Sequence, residues 1–107
     1  MIKKEDMPVC DVATTVQVLG SKWKLLIIRD LLTGPKRNSE LMKSLSGISQ
    51  KVLTSSLKSM IDDGIVERID FHEIPPHTEY QLTSLGDSLR PIIETMKQWG
   101  HWYKEQI

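Results

Sequence analysis

Three residues, Gly47-Ile48-Ser49, separate two stretches of helical periodicity, and no other feature restricts the fold of this chain so tightly. Ahead of the link, Leu41, Met42 and Leu45 recur at helical spacing, with Asn38 or Ser39 placed to cap a short helix. Beyond it, Ser49 can cap a second helix that runs to Asp63, where Gly64 supplies a left-handed stop. Within that second helix Leu53, Leu57, Met60 and Ile61 fall at i, i+4, i+7 and i+8 and form one apolar stripe. Lys51, Thr54, Ser55 and Lys58 project from the other side. Two short helices joined by so tight a connection form a helix-turn-helix unit.

The flanking segments extend this unit. Val12 to Val18 reads as a first helix stopped near Gly20, and Trp23, Leu26 and Ile27 mark a largely buried helix from Lys22 to Leu32, broken by Thr33-Gly34-Pro35. After Gly64 the pattern becomes β-branched from Ile65 to Phe71. Thr78 to Leu82 is the expected partner strand, with Pro75-Pro76 in the connection, which makes 65–82 a hairpin. From Thr83 a last helix, about 83–104, carries Leu89, Ile92, Ile93, Met96, Trp99 and Tyr103 as one long apolar seam. At 107 residues the chain is one domain, 1–107, and its core is too small to receive that seam together with Trp102. Pairing with a second copy across a twofold axis, through 88–103 with help from the N-terminal helix, would bury it. The expected fold is therefore mainly α with a small β-hairpin, an α+β winged helix-turn-helix with N- and C-terminal dimerisation helices.

Charge adds a functional expectation. The chain carries 14 basic and 14 acidic residues, yet Gly20 to Met60 holds eight basic residues against Asp30 and Glu40, which is +6 and leaves −6 for the remainder. The helix of about 50–62 is free of acid until Asp62, and in this motif it is the helix that enters the DNA major groove. A carboxylate there would be repelled by phosphate. Lys51 and Lys58 can neutralise phosphates, while Gln50, Thr54 and Ser55, with Ser49 at the helix entrance, offer donors and acceptors to base edges or phosphate oxygens. Arg37 and Lys43 are placed to brace the flanking backbone, and His77 in the wing is a further candidate contact. The bland reading of each is a solvated surface residue. A winged helix used only for protein contacts is the alternative function, and it predicts DNA affinity indifferent to Lys51 and Lys58.

Other classes find little support. There is no Gly-rich phosphate loop, no His and carboxylate set at ligand spacing and no cysteine with a plausible histidine base, so neither an enzyme nor a metal or other cofactor is expected. No secretory signal or membrane-length apolar run occurs, and a cytoplasmic protein without a membrane partner is expected. Cys10 is the sole cysteine and cannot form an internal disulfide. A lone cysteine is commonly a small buried hydrophobe. The dipole of the helix that follows attracts anions and Asp11 repels them, which leaves the chemistry of Cys10 open.

Several stretches together resemble the HxlR-type winged helix-turn-helix regulators of bacteria and archaea, a MarR-like group. They are Cys10; Leu19-Gly20-Ser21-Lys22-Trp23-Lys24; Gly47 to Thr54; Asp63-Gly64-Ile65-Val66-Glu67-Arg68; Ile74 to Thr83; and Gly86, Leu89 and Trp99. Asn38 stands where the family usually has phenylalanine, and Asp11 where many members have proline. The resemblance implies a homodimer that binds an inverted repeat in double-stranded DNA and regulates transcription. It also implies that Cys10 can respond to an oxidant or a small electrophile.

Overall fold

Ser49 caps its helix as its position predicts: the hydroxyl accepts the Val52 amide at 3.1 Å, and the helix runs from Gln50 to Asp62. A computed structural model describes all 107 residues. Its helices are α1 (Asp11–Leu19), α2 (Lys22–Leu31), α3 (Asn38–Ser44), α4 (Gln50–Asp62), α5 (Ser84–Asp87) and α6 (Arg90–Glu105), with strands β1 (Val66–Asp70) and β2 (Thr78–Leu82) between α4 and α5. The strands pair antiparallel, Val66 opposite Leu82 and Asp70 opposite Thr78. The three helices α2, α3 and α4 followed by this hairpin make a winged helix-turn-helix, as the sequence predicts.

The core is shared by every element of that unit. Ile27, Ile28 and Leu31 of α2 meet Leu41 of α3, Leu53, Leu57 and Met60 of α4, and Val66 of β1. In α4 the buried stripe differs from expectation. Ile61 is 38% exposed and Ser56 only 7%. At about 100° per residue, Met60 and Leu57 stay within roughly 40° of Leu53, Ser56 lies about 60° to one side, and Ile61 lies about 80° to the other, beyond the contact with α2.

Two helix boundaries also depart from expectation. The third helix is preceded by Arg37 as its N-cap, and Asn38 and Ser39 already lie inside it. The Glu40 carboxylate reaches back to accept the Arg37 amide at 2.9 Å, which satisfies the helix start without a side chain from Asn38 or Ser39. The terminal segment is not one helix from 83 to 104. It breaks between α5 and α6 because Pro91, at the start of α6, has no amide to donate to the carbonyl of Asp87.

α5 fixes the wing to the core. Thr83 caps it, its hydroxyl accepting the Gly86 amide at 3.0 Å while donating to the Gly64 carbonyl at 2.5 Å. A Cβ on Gly86 would lie 2.1 Å from the Ile65 carbonyl oxygen, so glycine is required for this approach. α6 then leaves the body. The radius of gyration is 15.1 Å, against about 13 Å for a compact chain of this length.

One connection was invisible in the sequence. Lys36, just ahead of α3, bridges to β2: its amide donates to the Tyr80 carbonyl at 2.9 Å, and the Tyr80 amide returns a bond at 2.8 Å. The entrance to α3 and the wing are thereby stitched together.

Candidate nucleic-acid interface

α4 buries one side and presents the other. Gln50, Lys51, Thr54, Ser55 and Lys58 are all exposed, and neither lysine forms a salt bridge, so both ammonium groups are free for phosphate. The neutral groups are partly engaged within the helix. The Gln50 amide donates to the Thr54 hydroxyl at 3.0 Å, and the Ser55 hydroxyl donates to the Val52 carbonyl at 3.1 Å. Ser49 is exposed too, but its oxygen is committed to capping. Lys43 projects from α3 without an acidic partner, and Arg37 is exposed at the entrance to that helix.

Behind this face lies a contact that periodicity does not reveal. The Lys24 ammonium, in the first turn of α2, donates to the Ser59 hydroxyl at 2.8 Å and ties α2 to the outer half of α4. A lysine one residue past Trp23 reads in sequence as a solvated charge. Trp23 packs against the core, as expected, and the Lys22 ammonium lies over its ring, 4.7 Å from the centroid.

The wing corrects one expectation. His77 does not offer its ring to an external partner: the side chain is only 15% exposed, and both nitrogens face protein groups. Nε2 lies 2.6 Å from Glu79 Oε2, Nδ1 lies 3.3 Å from Arg37 Nη2 and 3.4 Å from Glu73 Oε2, and Phe71 stacks on the ring at 4.4 Å. Arg37, expected to brace the DNA backbone, shares this cluster because the Lys36–Tyr80 bridge brings the α3 entrance to the wing.

A basic helix free of acid until Asp62, behind a turn of five residues (45–49) rather than the three expected and flanked by a hairpin, is the geometry of a DNA reader. The family model of the HxlR-like helix-turn-helix matches residues 18–107. The chain belongs to the HxlR-like family. Over 97 residues it is 42% identical to the uncharacterized HTH-type transcriptional regulator YkvN of Bacillus subtilis (strain 168), spanning 91% of this chain and 82% of YkvN. Among solved structures, the redox regulator HypR in its oxidized form superposes with a TM-score of 0.82 at 40% identity, covering 86% of this chain and 95% of HypR. Diamide-treated YodB from B. subtilis superposes with a TM-score of 0.73 at 34% identity, covering 89% and 95%. This HxlR-like chain is a DNA-binding transcriptional regulator.

The remaining candidate residues of the HxlR-like chain divide between core and surface. Ile93 is 8% exposed and closes the chain's own core, with Leu89 packed against it, so the expected seam loses these two to intramolecular packing. Ile92, Met96, Trp99, Trp102 and Tyr103 stay exposed, Trp99 by 60%, with Trp99 and Tyr103 stacked at 5.2 Å. Val12 and Val16 expose a second apolar row on α1. Cys10 is exposed at the N-cap of α1, so it is not a buried packing residue. No helix is long and apolar enough to cross a membrane.

Proposed function

We propose that the chain acts in the cytoplasm as a homodimer, without catalysis, on an inverted-repeat operator, each α4 entering one of two major grooves about 34 Å apart. The observation that carries this reading is the exposed face of α4, where Lys51 and Lys58 stand without a carboxylate partner beside Gln50, Thr54 and Ser55. Arg37 and Lys43 brace the backbone at the groove edge. Dimerisation is supported by the exposed aromatic end of α6 and the valine row of α1, apolar surfaces that the chain does not cover itself.

Redox control through Cys10 is supported by its exposure and by the redox relatives. In the presence of diamide, Cys10 and a second thiol, either the partner's Cys10 or a small thiol, lose two hydrogens as an S–S bond forms. The N=N bond of diamide takes up both hydrogens and becomes a hydrazine. The disulfide at the start of α1 then shifts the dimer and changes DNA affinity. DNase footprinting on the gene's own upstream region, with and without diamide, tests this: a symmetric footprint that changes with oxidant supports it. Absence of any footprint contradicts the DNA reading, and an asymmetric footprint contradicts the dimer.

A further inference from the structure

We propose that His77 is a positioning residue: its protonation decides where the Arg37 guanidinium points, and operator binding therefore takes up a proton. This rests on the DNA-binding reading and adds to it.

The partners of the His77 ring decide which nitrogen carries hydrogen. A carboxylate only accepts, so the 2.6 Å contact with Glu79 Oε2 requires a proton on Nε2. Nδ1 then faces two partners at nearly equal distance with opposite demands. Arg37 Nη2, at 3.3 Å, only donates and needs a lone pair on Nδ1. Glu73 Oε2, at 3.4 Å, only accepts and needs a proton there. Both cannot be satisfied in one protonation state.

With a neutral ring, Arg37 is held against the wing, and Glu73 faces a lone pair. When a proton from solvent reaches Nδ1, the ring donates to both Glu79 and Glu73 and becomes cationic. The guanidinium loses its acceptor, is repelled and swings free. Phe71 stacks on the ring and contributes no charge, while Asp70, the nearest other acid of the hairpin, is turned to the His72 amide and ring. The charged groups facing His77 are thus Arg37 from the α3 entrance, Glu73 from the wing loop and Glu79 from β2. Their sum with a neutral ring is −1, and protonation brings it to zero.

Arg37 immediately precedes α3, the first helix of the helix-turn-helix, and is exposed. A released guanidinium there pairs with a backbone phosphate, and the phosphate in turn favours the charged ring. Histidine side chains in general change charge between pH 5 and 8, which is the range to test.

The test is the pH profile of binding to a duplex from the gene's upstream region, read by fluorescence anisotropy at constant salt. From pH 8 to pH 6 the wild type should gain roughly 3- to 10-fold in affinity beyond the His77→Gln protein, whose amide can donate to Glu79 but takes up no proton. Arg37→Gln should flatten the profile likewise, and His72→Gln should leave it intact. A His77→Gln profile parallel to wild type overturns the proposal. Calorimetry on the wild type at pH 7, in two buffers of different ionisation enthalpy, gives a reading independent of how the variants fold: net proton uptake is expected, and none overturns it. Failure of the wild type to bind any duplex would instead remove the DNA reading itself.

Discussion

The Lys24 ammonium and the Ser59 hydroxyl meet at 2.8 Å and join the buried helix α2 to the outward half of α4. This is the only side-chain hydrogen bond between the two helices, and it sits one residue from Lys58. Lys24→Met should cost about 1 kcal/mol in urea unfolding. A double-mutant cycle with Ser59→Ala should return most of that as coupling energy.

Gly86 sets the seat of α5 on Ile65. Gly86→Ala places a methyl 2.1 Å from a carbonyl oxygen of the backbone, which cannot move aside as a flexible side chain would. Destabilisation of about 1–3 kcal/mol is expected. It is measured by chemical denaturation at a protein concentration matched to wild type.

The aromatic end of α6 should carry dimer affinity. Trp99→Ala removes the ring that stacks on Tyr103 and stands 60% exposed in the single chain. A loss of about 2 kcal/mol per protomer is expected, typical of a tryptophan at the centre of an interface. Sedimentation should show wild-type dimer and variant monomer at micromolar concentration; a monomeric wild type would refute the dimer.

Cys10→Ser should leave DNA binding by the reduced protein unchanged and abolish the response to diamide. Gel-shift titration with and without the oxidant reads both. An equal response in wild type and Cys10→Ser would refute a role for this thiol.

Much of this was legible in the sequence because it is encoded locally. Ser49 ahead of an apolar stripe, Gly64 behind it and the β-branched run after Gly64 act over a few residues, and each appears in the fold as read. The departures have tertiary causes. Ser56 is buried and Ile61 exposed because the covered sector of α4 is rotated towards Ser56, by about 40°, from the one hydrophobicity alone implies. Ile93 turns inward because the break at Pro91 resets the face that α6 presents. Arg37 and His77 lie 40 residues apart, and the Lys36–Tyr80 bridge that brings them together leaves no periodic signal. The exposed polar face of α4 was readable because its meaning lies in what is missing, a carboxylate, and composition shows that directly.

Binding of phosphate and bases by the α4 face carries the proposed function. It is tested most directly by the salt dependence of binding to a duplex from the gene's upstream region, for wild type, Lys51→Ala and Lys58→Ala. Both lysines are exposed and make no salt bridge, so neither change should disturb folding. Each variant should bind more weakly, and the slope of log affinity against log salt should fall by about one per lysine removed. Affinity and slope unchanged in both variants would contradict the account.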